Sequence, residues 1–349
     1  MDKIIGLGNA LIDVLATLKD DTLLDELGLP KGSMQLIDDA KLQQINTKFS
    51  QMKTHLATGG SAGNAILGLA CLGAGTGFIG KVGNDHYGDF FRKNLQNNNI
   101  EDNLLTSEQL PSGVASTFIS PDGERTFGTY LGAAASLKAE DLTLEMFKGY
   151  AYLFIEGYLV QDHEMILHAI ELAKEAGLQI CLDMASYNIV ENDLEFFSLL
   201  INKYVDIVFA NEEEAKAFTG EEPEEALRVI AKKCSIAIVK VGANGSYIRK
   251  GTEEIKVSAI PVEKVLDTTG AEKLIGKGDM LYAPLGEGKP TRVQGCFISN
   301  EEIEAVITRI KETSTAEYSE EILEHIEQQA EQVGNNKGGS SGTNDPGDD

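Results

Sequence analysis

Residues 152–185 read YLFIEGYLVQDHEMILHAIELAKEAGLQICLDMA. An apolar run, Tyr152–Val160, is short enough for one buried strand. The next residues place apolar side chains at helical spacing and stop at Gly177. A second apolar run, Gln179–Ala185, follows. This is one strand–helix–strand unit of a parallel sheet. The alternation continues downstream: a helix over 192–204, a strand over Val205–Asn211, helices within 212–233, and a strand over Ile236–Gly242. Short apolar strands between amphipathic helices predict an α/β fold whose sheet is covered on both faces.

Polar residues interrupt this pattern at regular places. Glu156, Asp183, Asn211 and Lys240–Gly242 fall at the carboxyl ends of successive strands, where open α/β sheets form their ligand crevice. Ordinary turn polarity at strand ends is the competing explanation.

The N-terminal part differs. The run VASTFISPDGERTFGTYL (114–131) alternates around Pro121-Asp122-Gly123, the signature of a β-hairpin. With residues 14–40 it predicts a small β lid over the crevice, a device that keeps water from a reactive site. The opening stretch, MDKIIGLGNALIDVLATL, reads as a first core strand, since it lacks the basic start and cleavage site of a signal peptide. Asp13 is expected just after the apolar residues of that strand, where a carboxylate can accept two sugar hydroxyls. GLGNAL lacks the third glycine of a dinucleotide fingerprint.

Bulk composition narrows the function. The chain has 349 residues, 42% of them hydrophobic, and a formal net charge of −25. That charge argues against nucleic-acid binding, which needs clustered Lys and Arg, and against adhesion to anionic membranes. No apolar run is long enough to span a bilayer. The four cysteines, Cys71, Cys181, Cys234 and Cys296, form no CxxC pair and read as small buried hydrophobes in a reducing, cytoplasmic compartment. Residues 331–349, rich in Gly, Ser, Asn and Asp, are expected to be disordered.

Several short motifs point to a phosphorylated or hydroxylated ligand. In ATGGSAGNAILGLACLG (57–73), Gly59 and Gly60 permit close approach of a ligand to the backbone, and Asn64 is expected to begin an apolar helix. Asn211 and Glu214, in ANEEEAKAFTG, sit where oxygen ligands could hold Mg²⁺ directly or through water; an N-cap with an acidic first turn explains them equally. Gly242 and Gly245 shape a tight loop. Thr268, Thr269 and Gly270 would offer hydroxyls and backbone N–H groups to an anion. The following GAEKLIGKG is not a P-loop: the spacing from Gly270 to Gly276 is wrong, and Gly278 stands at the Ser/Thr position.

Taken in order, GNALIDV, ATGGSAGNAILGLACLG, FIGKVGNDHYGDFF, PDGERTFGTYLGAA, IEGYL, ANEEEAKAFTG, KVGANGS and DTTGA resemble the ribokinase/PfkB-type carbohydrate kinase family, closest to its adenosine-kinase-like branch, over residues 1–271. The resemblance implies a ribokinase-like, mostly parallel central sheet flanked by helices, with a small β lid. It implies ATP-dependent phosphorylation of a primary hydroxyl on a nucleoside or sugar, with Mg²⁺. It places sugar hydroxyls at Asp13, Gly60 and Asn64, and Arg125 on the lid near the substrate. Nucleotide and Mg²⁺ would be handled by Asn211, Glu214, Gly242 and Gly245. A monovalent cation would lie near Asp267 and Thr269, and lid strands would pair between subunits of a homodimer.

The family pattern continues DTTGAGD, its Gly-Ala-Gly forming an anion hole and its Asp serving as base. Here Glu272 replaces the second Gly and Lys273 replaces the Asp. From that point the pieces GAEKL, GKGDMLY and KPTRVQGCFIS resemble the end of the motor domain of FtsK/SpoIIIE-type DNA translocases, without their nucleotide-binding motifs. The expected layout is a C-terminally truncated kinase domain (1–270), a translocase fragment (271–330) and the tail (331–349). Three readings follow: a kinase by ancestry with impaired chemistry, a catalytically dead nucleoside- or sugar-binding module, or a translocase fragment.

Overall fold

The computed structural model describes residues 2–259 and the backbone of two further short strands, Asp279–Tyr282 and Thr291–Gln294, which pair antiparallel. Packing divides the chain into Met1–Lys264 and Val265–Asp349. Asp267, Thr268, Thr269, Gly270, Glu272, Lys273 and Cys296, and the tail, lie outside the described residues.

The first unit holds two sheets. Strands are numbered in chain order: β1 (Ile4–Leu7), β2 (Leu11–Thr17), β3 (Met34–Leu36), β4 (Thr54–Gly59), β5 (Thr76–Gly83), β6 (Ile100–Ser107), β7 (Gly113–Ile119), β8 (Arg125–Tyr130), β9 (Tyr152–Glu156), β10 (Gln179–Asp183), β11 (Ile207–Asn211), β12 (Ile236–Lys240), β13 (Ser246–Lys250) and β14 (Glu253–Val257). The larger sheet runs β14-β13-β12-β11-β10-β9-β1-β5-β6. It is parallel from β6 to β12 and antiparallel only at its β13–β14 edge. The α/β expectation therefore holds.

The opening stretch is not one strand. Its apolar residues divide between β1, at the centre of the larger sheet, and β2, in the smaller one. The break is Gly8-Asn9-Ala10, three buried residues with no room for side chains at Gly8: a Cβ there would come within 2.6 Å of the Ala62 methyl. Asp13 consequently lies inside β2, between Ala57 of β4 and Ala115 of β7, rather than after a strand.

The smaller sheet, β3-β8-β7-β2-β4, contains the expected hairpin. β7 and β8 pair antiparallel around Gly123, whose φ of 86° only glycine adopts at low cost. This five-stranded sheet is the lid.

A second difference concerns residues 152–160. The strand ends at Glu156, and Gly157–Gln161 form a 3₁₀ turn. Gly157 packs against the carbonyl oxygens of Asp183 and Met184, so the chain must leave the sheet there.

Helices follow the apolar periodicity; besides those placed below, α1 (Thr22–Leu27) and α2 (Asp39–Phe49) lie between strands of the lid, and α6 (Tyr187–Asn192) and α7 (Leu194–Lys203) lie between β10 and β11. α3 (Ser61–Cys71) and α4 (His86–Asn97) join the lid and β1–β5–β6 in one core, around Ile66, Phe78, Phe91 and Phe118. α5 (His163–Glu175), α7, α8 (Glu212–Thr219) and α9 (Pro223–Ala231) cover one side of β9–β13 and build the second core. On that side Leu153, Ile155, Val208, Ala210, Ala237 and Val239 are fully buried. Their alternates, Phe154, Ile207, Phe209, Ile236 and Ile238, are only half-buried, and on β14 Ile255 and Val257 are exposed.

Candidate active site

A cavity of about 630 Å³ opens between the lid and the carboxyl end of the larger sheet. The lid contributes Leu11, Met34, Leu36, Thr129 and Leu131. Gly60 and Ser61 form the floor at the start of α3. Glu156, Tyr158, Leu159, Met165 and Ile189 close the far wall, and Lys138, Asp162 and His163 rim it. Apolar walls with a few convergent polar groups are the usual make-up of a small-molecule site.

The floor is held by Glu156. One of its oxygens accepts the backbone N–H of Asn9 at 2.9 Å and the Asn9 side-chain N–H at 2.6 Å; the other accepts the N–H of Ala62 at 2.9 Å. Three donors, one from the first turn of α3, stabilise a carboxylate in that position. Burial still pushes the Glu156 carboxyl above its ordinary value, and the charge of Asp183 adds to the push.

Asp183 stands beside Glu156 in register, at the end of β10. One of its oxygens accepts the N–H of Ala185, which is forced to a φ of 63°; the other accepts from Lys240 Nζ at 3.2 Å. Burial also raises the carboxyl of Glu214 and the phenol of Tyr158, with Asp183 contributing to both. The crest of the sheet is thus a line of acids tempered by Lys240.

Of the residues singled out from sequence, Gly60 lines the cavity. Its φ is 86°, and a Cβ there would overlap the carbonyl oxygen of Asn9. Gly59 leaves space filled by the Asp13 carboxylate. Asp13 shares its strand face with the cavity-lining Leu11. Asn64 does not begin the helix: α3 starts at Ser61, and Asn64 is an exposed residue of its first turn. Arg125 opens β8, with its guanidinium 5.4 Å from the Phe127 ring centroid. It lies on the same strand face as Thr129, which reaches the cavity.

Asn211 and Glu214 form a reciprocal cap. The Asn211 side chain accepts the Glu214 N–H at 2.8 Å, and the Glu214 carboxylate accepts from the Asn211 backbone at 2.7 Å and side chain at 2.8 Å. Gly242 and Gly245 bound a 3₁₀ turn after β12. Gly242, at φ 51°, faces open space, whereas Gly245 is pressed against the backbone of Val257 and Ala259. Among the described residues no group of three or more His, Cys, Asp or Glu side chains is placed to hold a metal ion, and no helix is long and apolar enough to cross a membrane. Cys181 is buried as expected, whereas Cys234 is only half-buried and Cys71, the last residue of α3, is exposed.

Sequence reasoning missed Asn9. Its signal was the Gly-Asn-Ala break between two apolar runs, which marks a change of sheet.

Known proteins match this chain in two ways. The Sinorhizobium meliloti adenosine kinase structure is 32% identical, with a TM-score of 0.68, and the match covers 78% of this chain and 84% of that one. Guanosine-inosine kinase of Escherichia coli K12 is 26% identical over 264 residues, 72% of this chain but only 61% of that protein. A partial segment matches a different protein, the DNA translocase FtsK of Clostridium acetobutylicum, at 34% identity over 151 residues, which are 41% of this chain and 20% of the translocase. The chain therefore joins a kinase part to a piece related to FtsK. The family model for pfkB family carbohydrate kinases matches residues 32–272. On that match, and on the two-sheet fold around the cavity, the chain belongs to the pfkB family of carbohydrate kinases.

Proposed function

We propose that the cavity binds a nucleoside or ribose-like sugar, and that the inherited reaction is phosphotransfer from ATP to a primary hydroxyl. The carrying observation is the cavity itself: about 630 Å³, closed by a lid, floored by Gly60 and Ser61, and braced by Glu156. Asn9 and Ser61 line it with polar atoms, and Asp13, on the Leu11 face of β2, would meet a sugar hydroxyl from the lid side. ATP and Mg²⁺ would lie along the crest, with Lys240 and the open side of Gly242 toward the nucleotide. Both Glu214 oxygens are engaged by Asn211, so this pair suits Mg²⁺ held through water rather than directly.

Transfer requires the attacking hydroxyl to give up its proton as oxygen bonds to phosphorus. Lys273 stands at the position of the family's base, and a lysine of ordinary basicity is an ammonium at neutral pH, with no lone pair to accept the proton. Glu272 adds negative charge where the terminal phosphate would sit. Turnover is therefore crippled in this chain. Incubation with ATP, Mg²⁺ and a panel of nucleosides and sugars tests this; turnover comparable to an intact family member would refute it.

A pure binding module is the second reading. Among the described residues, those that line the cavity all lie upstream of 190, which supports a pocket that outlasts the altered segment. Calorimetry with adenosine, guanosine and ribose separates the two: heat of binding without product supports the module. Edge strand β3 leaves Met34 and Leu36 exposed, surface that a dimer through the lid would cover; sedimentation checks it.

A further inference from the structure

The lid is joined to the larger sheet by four chain crossings, and these fall into two pairs. In the first pair, Gly8–Ala10 leads from β1 into β2 and Gly59–Gly60 leads from β4 into α3. In the second, 108–112 leads from β6 into β7 and Leu131–Gly132 leads out of β8.

Both pairs are built alike. In the first, the backbone at Gly60 lies against the carbonyl of Asn9, an approach that a Cβ would block. In the second, Gly132, at φ 49°, lies against the carbonyl of Pro111, and Gly113 lies against that of Leu131. Ala133 N–H donates to the Pro111 oxygen at 2.7 Å across this crossing.

Each pair is also gripped by one carboxylate that lies outside the lid and binds an N–H in the first turn of a helix. Glu156 does so at the first, binding Asn9 and Ala62. At the second, Asp85 caps α4, accepting the N–H groups of Tyr87 at 3.1 Å and Gly88 at 2.9 Å. The same carboxylate accepts the Ser112 N–H at 2.7 Å and the Ser112 hydroxyl at 2.7 Å. Ser112 Oγ in turn accepts the N–H of Gly83 at 2.9 Å. Ser112 is the last residue before lid strand β7. A helix cap alone needs no bond to a segment 27 residues away.

We propose that Asp85 is a positioning residue: with Ser112 it pins the second of two glycine hinges and, together with Glu156 at the first, fixes the lid over the cavity. The cavity draws its lid wall from Leu11, next to the first hinge, and from Thr129 and Leu131, next to the second. Slack at either hinge displaces that wall.

The test uses the full chain with Asp85→Ser and, separately, Ser112→Ala. A serine at 85 still caps α4 but is too short to hold Ser112 as well. Hydrogen exchange is read by mass spectrometry without ligand. Backbone amides of 112–119 and 130–134 should exchange about tenfold faster in both variants, the loss expected for unmade buried hydrogen bonds, while α4 and β9–β11 keep their protection. Unchanged exchange in the lid, or equal acceleration in both sheets, would overturn the proposal. Calorimetry with adenosine adds a second arm, which rests on the binding reading above: affinity should fall in both variants. If the unaltered chain binds no nucleoside, that reading fails, and exchange still decides the hinge.

Discussion

Asn9 directs two N–H groups, one from its backbone and one from its side chain, onto a single oxygen of Glu156. The other oxygen takes Ala62. All three neighbours are donors, so the site requires an acceptor on both sides. In Glu156→Gln one donor must face the new amide N–H₂. The expected loss is about 1–3 kcal/mol, read as a shift of the urea midpoint with an unchanged slope. A variant as stable as the parent would show that the three bonds contribute little.

Asp85 should set part of the acid sensitivity. Burial pushes its carboxyl up, but the N–H groups of Ser112, Gly88 and Tyr87 and the Ser112 hydroxyl outweigh this and hold it below its ordinary value of 3.8. With the folded value depressed, the unfolded chain binds the proton more readily. Stability from this group is complete above the unfolded value and drains away as pH falls through the folded one. Urea titrations between pH 6 and pH 2.5 should show a shallower acid decline for Asp85→Asn than for the parent.

Thiol chemistry reports the fold directly. Burial pushes Cys181 up to about 12 and Cys234 up to about 11, with the negative charge of Asp206 adding to both. Neither forms thiolate at pH 8 in the native state. Iodoacetamide at that pH should label the exposed Cys71 and spare both until denaturant is added; early labelling of Cys181 would contradict its place in β10.

Glu272→Gly with Lys273→Asp rebuilds the family's Gly-Ala-Gly-Asp run. A positioned base is worth about 10²–10⁴-fold in rate. An increase of that order in ATP-dependent nucleoside phosphorylation is expected if the base is the main deficit. No increase would place the loss in the other residues exchanged downstream of Gly270.

The sequence shows some parts of this molecule far better than others. The units from β9 to β12 are legible because a parallel sheet needs apolar strands, and its helices carry a period set by one buried face. The 121–123 turn is legible because it calls for glycine. The split at Gly8–Ala10 is not: both strands it separates are apolar, and apolarity does not say which sheet a strand joins. Glu156 stands out as a charge at a strand end, but its partners come from residues 147 and 94 positions away. Asn211 and Glu214 show the opposite limit. Their spacing fits both a cap and a metal site, and here the local cap satisfies both side chains.

The unequal sides of the larger sheet bear on how the protein behaves in concentrated solution. Phe154, Ile207, Phe209, Ile236 and Ile238 are less covered than their alternates, and β14 exposes Ile255 and Val257. Mutual repulsion from a net charge of −25 keeps such surfaces of neighbouring molecules apart in dilute buffer. Added salt shortens the reach of that repulsion to about 3 Å at 1 M, so this is a protein whose clumping should grow with ionic strength, sheet edge first.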